Sequence, residues 1–229
     1  MIGIHLHIIT EGPTEQQFVL KVLAPHLAHY QVYADARCIL TSRDKHAGRQ
    51  SRGGLPNYIK AKNDIQTWLK EDSRTNCRFS TMFDFYALPN DFPDFTNAQK
   101  KTDPYQKIDC LEAALAQDIL DNRFIPYIQL HEFEALILAD AQKLDWEYLE
   151  HERAIANLVA MVGDTCPELI NDGAETAPSK RILKQIPEYD KVTAGWTVAE
   201  QIGLATLRQK CPHFNEWLTR LEQLGATGE

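Results

Sequence analysis

Most of the features that place a protein quickly are missing from this chain. Its five cysteines, Cys38, Cys77, Cys110, Cys166 and Cys211, are odd in number, widely scattered and free of any CxxC pair. Neither a disulfide framework nor a cysteine zinc site is supported, and each thiol reads as a small buried residue. No apolar run approaches membrane-spanning length, and His5 and His7 interrupt the amino-terminal segment, which makes it a poor signal peptide. The expected setting is the cytoplasm, with no membrane partner. Positive charge does not dominate: the formal net charge of -8 over 229 residues argues against coating nucleic acid by global attraction, while leaving local clustering open. There is no internal repeat and no low-complexity tract. The string HEFEAL at 131–136 is not HExxH, so a zinc protease is unsupported.

What is present begins at Ile2. Ile2, Ile4, Leu6, Ile8 and Ile9 form a short apolar run with a β-branched bias, which predicts a buried strand ending at Thr10. Glu11 and Gly12 follow, with Pro13 suited to a first helical position, and Phe18, Val19, Val22 and Leu23 recur at helical spacing in a helix that should end near Pro25 or within a few residues of it. Glu11 is thereby placed at the carboxyl end of a strand, in the turn entering a helix, where open α/β sheets hold their ligand groups. Glu15, four residues on, returns to the same end if the helix has begun. Two carboxylates there gain from the helix dipole but repel each other unless a cation or a proton intervenes, and a divalent metal answers that need. The plainer alternative is that Glu11 caps the helix and Glu15 is a solvated first-turn acid.

The remaining pattern alternates. Gln31 to Leu40 reads as a second strand, Tyr58 to Lys70 as a helix, Asn76 to Tyr86 as a third strand, Ile108 to Leu120 as an amphipathic helix, and Phe124 to Leu130 as a fourth strand. Such alternation predicts an α/β fold: a parallel sheet of about four strands flanked by helices, over residues 1–140. Beyond Leu138 the pattern turns helical, with helices over Trp146 to Val162, over Ser179 to Gln185 behind Pro178, and over Thr197 to Leu224 with a break at Pro212. Residues 141–229 therefore read as a helical extension packed on the α/β domain. Between Arg37 and Lys62 the chain reverses its overall sign: Arg37, Arg43, Lys45, Arg49, Arg52, Lys60 and Lys62 stand against Asp44 alone, with Gly48, Gly53 and Gly54 interspersed. A solvated face is the ordinary meaning of a charge run, but the reversal points to a phosphate-binding loop carrying Arg43, Lys45, Arg49 and Arg52.

Glu11, Asp84 and Glu132 or Glu134 all fall at or just past the carboxyl ends of different predicted strands. A parallel sheet brings those ends to one edge, so acids remote in sequence converge there. If residues 131–134 are extended, Glu132 and Glu134 share a face; if they are helical, the two diverge and one alone reaches the site. A carboxylate cluster without His or Cys at metal spacing prefers hard cations, Mg²⁺ or Mn²⁺, and His131 reads as structural. Such a site suits phosphoryl transfer, in which metals, about 3.5–4 Å apart when two are bound, activate water and stabilise the attacking and leaving oxygens. It also wants a cation for phosphate. Ser179, Lys180 and Arg181 open a helix whose free N–H groups and side chains suit a phosphate oxygen, and Lys191 is a second candidate.

The strings EGPTEQQF, FDFYALPNDFP, RFIPYIQLHEFEALI, ELINDGAETAPSKRI, YDK and CPHFNEWL together resemble an uncharacterised bacterial Toprim-like family. The likeness covers nearly the whole chain and extends to the Toprim domain of topoisomerases, primases and OLD-type nucleases. Members of that family are commonly encoded beside AAA- or ABC-type ATPases in anti-phage defence loci. The resemblance implies that Glu11 is the Toprim glutamate, a general acid or base and metal ligand, that Glu15 completes an ExxxE pair, and that Asp84 is the first aspartate of a DxD pair. Tyr86 stands at the second position, where it cannot act as a carboxylate ligand. The resemblance then leaves three outcomes: Glu132 or Glu134 substitutes, Asp91 or Asp94 does, or one metal site is lost. Lys180 or Lys191 would carry the phosphate-facing lysine. The expectation is a Mg²⁺- or Mn²⁺-dependent nuclease on DNA or RNA, the effector of an ATPase-coupled defence system, with self-association left open. The rival is a non-catalytic, degenerate Toprim subunit that binds an ATPase or senses a phage component.

Overall fold

A computed structural model describes residues 3–39, 55, 57–171, 173 and 176–226. The sequence alternation closes into an α/β fold. Strand β1 (Ile4–Thr10) pairs in parallel with β2 (Val32–Cys38) on one side and with β3 (Cys77–Asp84) on the other. Beyond β3 lie two short parallel segments, β4 (Phe124–Ile125) and β5 (Ile128–Gln129), giving the order β2-β1-β3-β4 with β5 also on β3.

The fourth strand reads as one run in the sequence but is split here. Pro126 has no N–H to give to a ladder, and Thr81 bridges the gap, its hydroxyl accepting from Tyr127 N at 2.9 Å and lying 2.9 Å from Tyr127 O. The register survives the break, with Phe79 opposite Phe124 and Phe83 opposite Ile128. The first helical run ends at Ala28, within a few residues of Pro25 as expected. Helix α1 (Pro13–Phe18) widens into a π-helical stretch (Val19–Leu23), where Ala24 N bonds to Val19 O, and α2 (Ala24–Ala28) continues it. A π turn just before a proline relieves the clash and the missing donor that would otherwise end the helix.

Helices cover both faces of the sheet. Ile9, Cys77, Phe79 and Phe83 pack against α3 (Tyr58–Glu71), while α4 (Phe95–Ala98) and α5 (Pro104–Ile119) complete that layer. Ile4, Leu6, Ile8 and Met82 face the opposite way, as period-two alternation requires. There they meet α1 and α2 together with the carboxyl-terminal helices. Those are α6 (Glu134–Ile137), a tighter helical stretch over Leu138–Trp146, α7 (Glu152–Val162), α8 (Pro178–Gln185), α9 (Lys191–Ile202), α10 (Leu204–Lys210) and α11 (Pro212–Gln223). The expected final pair is three helices, because Gly203 at φ 78° turns the chain between α9 and α10, as a residue without Cβ can. Among the described residues no helix is long and apolar enough to cross a membrane.

After β1 the chain turns to β2, and after β3 it turns to β4, so the carboxyl ends of β1 and β3 flank the point where strand order reverses. That crevice is where open α/β sheets bind ligands.

Candidate functional site

Glu11 and Asp84 meet across this crevice. The Glu11 N–H donates to Met82 O at 3.2 Å, and its carboxylate Oε2 accepts the Asp84 N–H at 3.1 Å. Gly12, extended at φ -144°, caps α1, and a Cβ there would come 3.0 Å from Glu15 Oε2. Pro13 then fixes the first turn, and Glu15 lies buried within it, where the helix dipole favours an anion.

The third acid comes from HEFE, and the fork foreseen there is resolved by the backbone. His131 adopts φ 62° and Phe133 is already helical, so Glu132 and Glu134 diverge. Glu134, fully buried, turns towards Glu15 and Asp84. Glu132 turns away, and its Oε1 accepts the Ser179 N–H at 2.5 Å. The free N–H at the start of α8, expected to take a phosphate oxygen, is thus held by the chain's own carboxylate.

What joins the acids is Lys191. Its Nζ lies 3.1 Å from Asp84 Oδ2, 3.3 Å from Glu134 Oε2 and 3.3 Å from Glu15 Oε1. The three carboxylates are 5%, 0% and 2% exposed in that order, whereas the lysine side chain keeps 35% of its surface. The ammonium therefore reaches into a buried acidic nest on a stem that touches solvent. The backbone behind it is pinned: Thr14 Oγ1 donates to Lys191 O at 3.3 Å, and the Asp190 carboxylate caps α9 through Val192 N at 2.9 Å. Close approach of α9 to α1 depends on Gly195, where a Cβ would sit 2.8 Å from Thr14 Cγ2 and 3.3 Å from Phe133 Cε1.

Four carboxylates, Glu11, Glu15, Asp84 and Glu134, act on one ammonium, and the protonation equilibria show the strain. Burial raises Asp84 well above the usual carboxylate range; Lys191 opposes this, and Glu15, Glu11 and Glu134 add to it. Burial likewise pushes Glu134 up to about 7, against the pull of Lys191 and with the push of Glu132 and Glu15. Burial would lower Lys191, but Asp84, Glu134, Glu15 and Glu11 together hold it firmly protonated. Asp84 Oδ1 is buried without a hydrogen-bond partner. Among the described residues no group of three or more His, Cys, Asp or Glu side chains is arranged as a ready metal site; the point between Glu15, Asp84 and Glu134 is where the ammonium sits.

The other expected site residues lie elsewhere. Lys180 is exposed on the first turn of α8, outside the group around Lys191. Arg181 donates through Nε to Thr176 O at 2.6 Å. Asp91 accepts the Tyr58 N–H at 3.1 Å at the start of α3, and Asp94 contacts Asn97 and Cys110, so neither joins Asp84. Tyr86 is 49% exposed, its N–H bonded to His131 O at 2.8 Å. Arg43, Lys45, Arg49 and Arg52 lie outside the described residues. Of the flanking basic residues, Arg37 pairs with Glu71 and lies over the Trp68 ring, and Lys62 pairs with Asp118. His131 Nδ1 accepts from the Asn171 amide N–H at 3.1 Å, and burial lowers its pKa to about 4, so the ring is neutral.

Two polar clusters went unforeseen. His7 is clamped by Asp35 at 2.8 Å and Asp72 at 2.7 Å, far from the crevice end of β1. Glu168, fully buried, caps α11 through His213 N and Phe214 N, both at 3.0 Å. The Pro at 212 was a readable sign of that helix start; nothing in the sequence named Glu168 as its cap.

Fold and site together define an α/β protein whose sheet reversal point carries a carboxylate–lysine nest. The chain belongs to the family described as domain of unknown function (DUF4276), which it matches over residues 10–222. No curated protein and no solved structure matches it.

Proposed function

We propose that this chain is a Mg²⁺- or Mn²⁺-dependent Toprim-type nuclease that hydrolyses phosphodiester bonds in DNA or RNA. One observation carries the reading: four acids from three separate stretches of chain converge at the sheet's reversal point with a single ammonium between them, leaving negative charge uncompensated. Burying such a set costs several kcal/mol per unpaired ion, a cost that catalytic sites accept and scaffolds avoid. The donor set fits the cation, since it is all carboxylate oxygen and includes the buried, unpartnered Asp84 Oδ1.

Glu11, Glu15, Asp84 and Glu134 are the residues that would hold the ion. When bound, it would supply a hydroxide at neutral pH and charge stabilisation at the phosphorus. The chain's own contributions are separate. Glu11, fixed on Asp84 N–H, keeps the two strand ends in register. Lys191 supplies the positive charge that a phosphate oxygen requires. Glu132 and Ser179 hold α8 against the site, and Lys180 and Arg181 stand on that helix for more distant phosphates of a polymer.

The choice of nucleic acid as substrate, and of a cytoplasmic effector acting with an AAA- or ABC-type ATPase in anti-phage defence, rests on the resemblance of the EGPTEQQF and FDFY strings to Toprim proteins. The test is Glu11→Gln. Glutamine keeps the shape and still accepts from Asp84 N, so the variant folds, binds Mn²⁺ less tightly and loses cleavage by about 10²-fold or more. Equal rates for variant and wild type on both DNA and RNA would remove the site assignment.

A second reading is favoured by Tyr86 in place of the second aspartate and by an ammonium that already fills the cation position: a non-catalytic subunit that binds an ATPase or a phage component. Calorimetric titration with Mn²⁺ separates the two, because carboxylate-dependent binding belongs to the nuclease reading alone.

A further inference from the structure

Lys191 presents a conflict that the nuclease reading has to resolve. Its ammonium lies between Asp84, Glu134 and Glu15, 3.1–3.3 Å from a carboxylate oxygen of each. A divalent cation bound to those same oxygens would stand almost in contact with it. Two like charges at that spacing in a buried site cannot both remain.

We propose that Lys191 is a displaceable counter-ion: it holds the carboxylates together in the metal-free chain and, once a divalent cation is bound, is released to the open side of the nest to receive a phosphate oxygen. This rests on the nuclease reading and specifies how that site is regulated. Four observations support it. The carboxylates are anchored and dry, whereas the lysine stem keeps a third of its surface in solvent, so side-chain rotation frees the ammonium without repacking the core. The backbone at Lys191 is held by Thr14 and Asp190, and the helix behind it by the Gly195 contact, so the side chain alone has to move. Lys191 stands at the first position of α9, where the helix dipole repels a cation. Among the described residues its ammonium is held by carboxylates, and that hold weakens once their charge is neutralised.

Metal loading and phosphate capture are thereby linked in one residue. Without metal, the lysine that should receive substrate is spent on the protein's own acids, and the site is idle. With metal, the same lysine becomes available.

The experiment uses the full chain and two readouts, neither of which requires activity. In the first, Mn²⁺ is titrated calorimetrically into wild type, Lys191→Met and Lys191→Arg, with circular dichroism as a check on folding. Lys191→Met binds about tenfold more tightly or better, since removing one partly buried competing charge of roughly 1.4 kcal/mol changes affinity by that factor; Lys191→Arg stays near wild type. The second readout needs no variant. Wild type is acylated with an amine-reactive ester with and without Mn²⁺, and Lys191 is followed by mass spectrometry; its labelling rises severalfold with the metal. Equal Mn²⁺ affinities for wild type and Lys191→Met, or labelling indifferent to Mn²⁺, overturn the displaceable lysine and leave the metal site standing. No Mn²⁺ binding to either protein overturns both. Binding to Lys191→Met but not to wild type would show that Mn²⁺ does not displace the lysine, and it too overturns the displaceable counter-ion.

Discussion

The crowding of acids around Lys191 has a measurable cost in the metal-free protein, and Glu134 reports it most directly. Its pKa rises from an ordinary 4.5 to about 7, chiefly through burial. The folded chain therefore binds more protons than the unfolded chain between those values, so this residue's contribution falls as pH rises from about 4.5 to about 7 and is level above that. The full difference corresponds to about 3 kcal/mol against folding at pH 8. Glutamine at this position mimics the protonated acid and carries no such cost. With EDTA present, Glu134→Gln should match wild type below pH 4.5 and exceed it by up to about 3 kcal/mol at pH 8, a rise in melting temperature of roughly 6–12 °C for a chain of this size. Thermal or urea unfolding at several pH values gives the curve. Adding saturating Mn²⁺ should reverse the order, since wild type gains binding energy that the variant cannot match. A variant less stable than wild type at pH 8 in EDTA, or a difference that does not change with pH, would show that Lys191 fully compensates Glu134 and that no charge deficit exists.

Two further expectations test the frame around the nest. Gly195→Ala forces a methyl group to 2.8 Å from Thr14 Cγ2; overpacking of about 1–3 kcal/mol outweighs the roughly 1 kcal/mol that alanine adds to a helix, so urea unfolding should show a net loss, and a gain would mean that α1 and α9 do not touch there. His7 is buried, which disfavours its charge, yet hydrogen bonds and charge from Asp35 and Asp72 raise its pKa above the ordinary 6.5. Its stabilising share is complete below that value and lost as pH rises through the higher folded one. His7→Leu should therefore cost about 1–3 kcal/mol at pH 6 and less at pH 9, and a penalty that grows with pH would contradict an imidazolium between the two carboxylates.

Much of this was visible in the sequence because it depends on local period. The alternation of Ile4, Leu6 and Ile8 against His5, His7 and Ile9, and the helical spacings of α3 and α5, required no knowledge of the rest of the chain. The placement of Glu11 and Asp84 at one edge followed from strand–helix alternation, and the two are joined by a hydrogen bond. Local pattern failed where a single residue had to choose between neighbours. Pro126 divides a strand that the sequence reads as one run, because it has no N–H to give to the ladder. Glu132 and Glu134 could not be told apart until His131 took a positive φ. Lys180 and Lys191 both follow helix-start signals, and their separation depends on how α8 and α9 dock, which is tertiary. One clue lay in the string D-K-V-T-A-G: Asp190 marks a cap, and Gly195 allows the close docking that carries the neighbouring lysine inwards.

That docking also bears on how the site is divided along the chain. Glu11, Glu15, Asp84 and Glu134 all come from the α/β part, and by themselves they are four crowded acids in a dry crevice. The cation they share arrives from α9, near the other end of the sequence, braced by Thr14 of α1. The helical region therefore does more than cover an apolar face of the sheet: it closes an electrostatic circuit that the sheet leaves open. A chain cut before α9 would lose apolar cover and also expose an acidic edge with no internal compensation, so it should depend on divalent cations for folding in a way the intact chain does not. If such a truncated protein, refolded in EDTA, were as stable as it is in Mn²⁺, the acids at the end of β1 and β3 would not be repelling one another, and the physical case for a cation at this edge would fall.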